Sequence, residues 1–301
     1  MTPTEKRNQN FMRLVRTVHD LAITDDIEKN RIAQMNMGII LGTKSREAVY
    51  EELMIGNIPA EIVRPNRPRG RRRVILYCHG GGYITGSLLY ARLLTTKLAL
   101  AASMDVISFD YRLAPEYPYP AALDDAVAVW DYLMLKGYAS RDVIVAGDSA
   151  GGNLALALGL KLKESGRFLP GCFACMSPWT DLACTGETYE TKAEVDPILD
   201  REYVDRARNA YCPDLFFANP LVSPLYGIYT GFPPVYIQAG RNEILLSDSA
   251  ELQKRMKKQG VDVKLDIYTN MWHVFQMSNF KTANDAVNRI AAYILERTEY
   301  N

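Results

Sequence analysis

From residue 74 onwards, short apolar runs of strand length alternate with longer amphipathic runs of helix length, and this rhythm restricts the fold more than any other feature of the chain. Candidate strands at 74–77, 105–109, 143–146, 168–176, 235–238 and 261–268 are separated by helical patterns at 88–102, 120–136, 152–163 and 247–259, and a closing helix is expected over 281–297. Strands joined through helices pair in parallel with right-handed crossovers, and the helices then cover both faces of the sheet. An α/β architecture follows. Upstream, two candidate strands at 48–55 and 58–64 flank Gly56-Asn57, a turn signal.

Three segments fall outside the rhythm. Phe11, Leu14, Val15 and Val18 have the i, i+3, i+4, i+7 spacing of an amphipathic helix, expected to pack onto the rest of the protein. Its polar face carries both charge signs, unlike the Lys/Arg-rich face of a membrane-surface helix. The run Arg67-Pro68-Arg69-Gly70-Arg71-Arg72-Arg73 reads as a solvated turn before a buried strand. Region 179–232, rich in Pro, Tyr and charged residues with a helical pattern near 200–210, reads as an insertion over the sheet.

Composition narrows the function classes. Lys plus Arg and Asp plus Glu balance at 35 each, so the basic footprint of a nucleic-acid binder is missing. No apolar run reaches 18 residues and the N-terminus has no secretory pattern, so neither a membrane span nor export is expected. The five cysteines, Cys78, Cys172, Cys175, Cys184 and Cys212, are an odd number in a chain without a signal, which points to reduced thiols and the cytoplasm. Cys172 and Cys175 lie within an apolar strand pattern and read as core. No second Cys pair or nearby His completes a metal set, and none is expected.

The chemistry concentrates after two of the strands. Gly147-Asp148-Ser149-Ala150-Gly151 stands between the strand at 143–146 and the helix that follows. A serine on such a sharp turn needs small neighbours, projects its Oγ from the sheet edge, and has a helix N-terminus behind it that favours developing negative charge. Ser149 is the candidate nucleophile. His79-Gly80-Gly81-Gly82 ends the strand at 74–77. Glycines in series lose backbone entropy on ordering and suit a backbone that must approach a substrate. The N–H groups of Gly81, Gly82 and Ala150 are candidate oxyanion donors. A phosphate loop is excluded because no Gly-Lys-Ser/Thr follows, and the dinucleotide fingerprint is absent.

Only three histidines are present. His19 falls in the N-terminal helical pattern, and His79 is better placed to orient the glycine loop, which leaves His273 as the general base. The acid that fixes the imidazole tautomer is expected after the nucleophile and before the histidine. Glu243 is the first carboxylate past the strand at 235–238, and Asp248 is the alternative, one turn into the next helix. Asp196 lies in the insertion and Asp266 within a strand.

With these residues placed, the chain resembles the hormone-sensitive-lipase-like esterases of the α/β-hydrolase fold, including bacterial acetyl-esterase-like members. The resemblance covers residue 73 to the end and rests on His79–Gly82, Asp110-Tyr111-Arg112-Leu113-Ala114-Pro115-Glu116, Gly147–Gly151, Glu243–Asp248 and Trp272-His273 in one order. It implies an α/β-hydrolase of one domain over 1–301, with an eight-stranded, mostly parallel sheet, helices on both faces, and a helical cap from about 1–45 and 180–230. It also implies hydrolysis of short to medium acyl esters without metal or cofactor, through a Ser149–His273–Glu243 triad and an acyl-serine intermediate. Many members carry Asp as the acid, whereas this chain fits a Glu-x-Leu-Leu variant. Arg112 and Glu116 are expected to tie the loop below the glycines. The partner implied is a small-molecule ester; the pattern is compatible with a homodimer. Rival readings are a lactone hydrolase or acyltransferase using the same residues and, favoured less, a non-catalytic small-molecule receptor.

Overall fold

The sheet begins where the Gly56-Asn57 turn folds β1 (Ala48–Ile55) back onto β2 (Ile58–Pro65), pairing Ala48 with Pro65 and Ile55 with Ile58. In the computed structural model, which describes residues 12–14, 16–17, 24–42, 44–68 and 72–299, this hairpin is the edge of an eight-stranded sheet. β2 pairs antiparallel with β4 (Asp105–Phe109). From there β3 (Val74–Cys78), β5 (Val143–Asp148), β6 (Cys172–Met176), β7 (Val235–Gly240) and β8 (Val263–Tyr268) pair in parallel. The order is β1-β2-β4-β3-β5-β6-β7-β8.

Strand side chains alternate between two apolar layers, which is why the central strands are apolar throughout. Ile75, Val106, Ile144 and Tyr236 pack beneath α2 (Leu88–Ala102) and α8 (Lys281–Glu299). Leu76, Ile107, Val145 and Phe173 face the layer of α3 (Ala121–Leu135), α4 (Ala150–Glu164) and α7 (Leu246–Lys258). Cys172 and Cys175, three residues apart on one strand, point into opposite layers as buried free thiols.

The expected elements occur, with displaced ends. β6 starts at Cys172 rather than 168, because Pro170 has no N–H to give a ladder and Phe168 is left 84% exposed. α4 starts at Ala150, so two glycines fall in its first turn. The arginine run is less solvated than its composition suggests. Arg72 lies over the Tyr138 ring, and buried Arg73 donates to the Thr298 carbonyl at 2.6 Å; Arg69 and Arg71 lie outside the described residues.

α1 (Ile27–Leu41) begins at Asp26, whose carboxylate accepts from the Glu28 and Lys29 N–H groups. Of the expected N-terminal helix, Phe11, Val15 and Val18 lie outside the described residues, as does His19. Region 179–232 contributes a short α5 (Thr188–Thr191) and α6 (Arg201–Tyr211), where the sequence pattern places a helix. Tyr203 and Ala207 of α6 face Gly82. Among the described residues no helix is long and apolar enough to cross a membrane.

Candidate active site

Parallel registry brings the ends of β3, β5 and β6 together, with Cys78 opposite Gly147 and Asp148 opposite Met176. The chain leaves β5 through Ser149 at φ 52° and ψ −123°, a conformation that strains any residue with a Cβ by about 1–3 kcal/mol. The surroundings hold it there. Ser149 N–H donates to the Met176 carbonyl at 2.9 Å, and its own carbonyl accepts from Trp179 N–H at 3.1 Å and Asn153 N–H at 3.2 Å. Its hydroxyl makes no capping bond to α4. Close backbone crossing explains the flanking glycines: a Cβ on Gly151 would lie 2.1 Å from the Cys78 carbonyl oxygen and 2.4 Å from that of His79.

Asp148 ties this turn to the glycine loop. Fully buried, it accepts from Tyr77 Oη at 2.5 Å, Gly80 N–H at 3.0 Å and Tyr90 Oη at 2.9 Å. Burial pushes its carboxyl up, and those three donors pull against that. The loop then runs through Gly81 at φ 117° while Ile84 and Thr85 N–H groups both donate to the Gly81 carbonyl. The N–H groups of Gly81, Gly82 and Ala150 have no partner among the described residues.

His79 is neutral, burial holding its imidazole down at about 4. Its Nδ1 donates to the Gly80 carbonyl at 2.8 Å and its ring stacks on Tyr111 at 4.2 Å, so it shapes the loop. Arg112 and Glu116, expected to tie the loop, engage different partners. Arg112 pairs with Asp125 of α3, and Glu116 pairs with Arg31 of α1. Arg31 also donates to the Ile84 and Ala114 carbonyls, each at 2.8 Å, and it is this residue that anchors the loop. Nothing in the local spacing around Arg31 signals that role, because its partners lie more than 50 residues away.

The loops past β7 and β8 carry Glu243 and His273, side by side because the two strands pair up to Gly240 and Tyr268. Asn242 N–H donates to the Met271 carbonyl at 2.9 Å and fastens one loop to the other. His273 Nδ1 lies 3.5 Å from Glu243 Oε2, with both side chains buried. Neither Nδ1 nor either carboxylate oxygen makes a hydrogen bond of normal geometry, though the Ser177 hydroxyl and Gly240 N–H approach Glu243 closely enough to oppose burial, which pushes its carboxyl up to about 8. Burial lowers the His273 imidazole; Asp196 and Asp148 raise it. Ser177, which sequence spacing does not single out, sits at φ 47° and accepts from the Val274 N–H at 3.1 Å, so it links the turn past β6 to the histidine loop.

The other carboxylates are occupied elsewhere. Asp248, in the first turn of α7, accepts through Oδ2 from Thr180 N–H at 2.8 Å, Asp181 N–H at 2.9 Å and Tyr189 Oη at 3.2 Å. Asp266 accepts from Tyr236 Oη at 2.6 Å. Asp196 reaches across to the Ile244 N–H, next to Glu243.

Comparison with known proteins supplies the context for this arrangement. A family model described as an alpha/beta hydrolase fold matches residues 75–277. The chain is similar to an esterase of Acinetobacter venetianus, 38% identical over 249 residues, covering 78% of this chain and 82% of the relative. It is also 39% identical over 221 residues to an acetyl-hydrolase of Streptomyces hygroscopicus, with 73% of each chain covered. A crystal structure of an esterase from the bacterial hormone-sensitive lipase family superposes with a TM-score of 0.91 at 33% identity, over 99% of both chains.

Proposed function

The chain belongs to the α/β-hydrolase fold family, among the hormone-sensitive-lipase-like serine carboxylesterases, and from that premise we propose that it hydrolyses short to medium acyl esters through an acyl-serine on Ser149. The observation that carries this reading is the strained, uncapped Ser149 with three N–H groups, those of Gly81, Gly82 and Ala150, that have no partner among the described residues, on the turn and the loop tied to it.

In the proposed reaction His273 takes the Ser149 proton as Oγ attacks the ester carbonyl. The three N–H groups hold the tetrahedral oxyanion; losing one such donor typically costs about 10²–10³ in rate. Glu243 keeps Nδ1 protonated and stabilises the imidazolium. His273 returns the proton to the departing alcohol. Water activated by the same imidazole then attacks the acyl-serine and releases the acid.

Residues 1–45 and about 180–230 are proposed to form a cap on a single domain spanning 1–301. Support comes from Tyr203 and Ala207 over Gly82 and from Arg31 on the Ile84 carbonyl. Such a cover limits the acyl chain. The acetyl-hydrolase name of one relative agrees with a short acyl group. The test is a p-nitrophenyl ester series on purified protein. Acetate or butyrate should exceed palmitate in kcat/KM, and a preference for palmitate would refute the chain-length limit.

A further inference from the structure

A second carboxylate stands beside the Glu243–His273 pair, and it comes from the inserted segment rather than from the sheet. Asp196 follows α5 and is only 3% exposed. Its Oδ1 accepts from Ile198 N–H at 2.9 Å and Leu199 N–H at 3.1 Å, while Oδ2 accepts from Ile244 N–H at 2.9 Å. Three donors on two oxygens call for a carboxylate. An amide could keep the local turn through its oxygen but would turn its own N–H₂ toward the Ile244 N–H. Ile244 is the residue after Glu243, so this bond holds the backbone that carries the acid.

The charge on Asp196 also matters. The acidic groups that act on the His273 imidazole are Asp196 from the insertion, Asp148 from β5 and Glu243 from the loop past β7. Besides the His273 imidazole, the groups that lower the Asp196 carboxyl are the N–H donors of Ile198, Ile244 and Leu199. The Arg16 guanidinium meets the Asp196 backbone carbonyl, not its carboxylate.

We infer that Asp196 is a positioning residue for catalysis: it fixes the Glu243 loop against His273 through the Ile244 N–H, and its buried negative charge adds to that of Glu243 in favouring the imidazolium. This inference rests on the proposed triad. Burial raises the Asp196 carboxyl to about 6, against the pull of the His273 imidazole and of its three backbone donors.

Asp196→Asn and Asp196→Ser both remove the charge and the Ile244 bond, and the serine keeps an acceptor for the local turn. Each should lower kcat for p-nitrophenyl acetate about tenfold while KM stays within about threefold, the signature of a lost transition-state interaction. The acid limb of kcat/KM should move to lower pH by about half a unit or more, because removing a nearby negative charge lowers the imidazole pKa. Glu243→Gln is measured alongside. If it retains near wild-type kcat, the triad reading itself fails. If it is impaired while both Asp196 variants keep the wild-type pH profile, only the present inference fails. Loss of fold in both variants would also overturn it, by assigning Asp196 to structure alone.

Discussion

Around Ser149 the tethers are short and numerous: the serine N–H on Met176 at 2.9 Å, and Asp148 gathering Tyr77, Tyr90 and Gly80 within 3.0 Å. Around His273 the one contact with Glu243 is 3.5 Å, and neither partner is otherwise hydrogen-bonded in good geometry. The proposed nucleophile half is therefore held in a strained conformation by its neighbours. The proposed acid–base half is assembled from loops past β7 and β8, with the Ser177 hydroxyl and the Gly240 N–H beside Glu243. Hydrogen bonds of this kind are often long before substrate binds and tighten in the reacting complex. The difference teaches where precision is built in beforehand and where it is completed during turnover.

Substitutions can break this contrast at either half. The largest effect is expected from Ser149→Ala, which should retain the fold and lose about 10⁵–10⁶ in kcat, by analogy with other serine hydrolases. Circular dichroism would establish the fold, and a folded variant with near wild-type turnover would remove the nucleophile from the account. Glu243→Gln comes next. It preserves shape but favours the wrong imidazole tautomer, a change worth about 10⁴ in a serine protease, so a loss of at least about 10² in kcat is expected. Its pH profile sharpens the contrast. In the wild type, the rise of kcat/KM with pH is expected to belong to the coupled Glu243–His273 pair rather than to either group alone. In the variant a single imidazole limb should remain, displaced to lower pH because the stabilising negative charge has gone.

Ser177→Ala should have a smaller effect. It leaves the buried Val274 N–H without its acceptor and removes a hydroxyl from beside Glu243. About tenfold in kcat is expected, equivalent to about 1.4 kcal/mol. The smallest effect belongs to Asp248→Asn. All three of its donors converge on Oδ2, so an amide oxygen in that place can accept them all, and the repulsion from nearby Asp181 disappears. More than a tenth of wild-type kcat should remain, with stability changed by less than about 1 kcal/mol. A dead Asp248→Asn beside an active Glu243→Gln would reverse the assignment of the acid.

How much of this was legible in the sequence depended on whether the signal was local. The strand–helix alternation marked six of the eight strands, the central ones as continuous apolar runs because both their faces are buried, and the Gly56-Asn57 turn signal marked β1 and β2. The Ser149 turn, the glycine loop and His273 followed from motifs only a few residues long. Glu243 was preferred to Asp248 because one stands in a loop and the other within a helix, which is where the structure puts them. Arg31 and Ser177 did not stand out, and Asp148 and Asp196 were noticed without the contacts they make. Their partners lie 48–97 residues away in the bonds to Ile84, Gly80, Val274 and Ile244, and no spacing rule connects them. The start of β6 was misplaced for a local reason, the Pro170 that apolar patterning alone does not weigh.

The central claim, that Ser149 forms the covalent intermediate, is tested most directly by modification with phenylmethylsulfonyl fluoride followed by peptide mass spectrometry. The account predicts a single sulfonyl adduct, on the peptide bearing Ser149, growing in proportion to the loss of p-nitrophenyl acetate turnover. Turnover that survives complete modification of Ser149, or inactivation with the adduct on another residue, would contradict it.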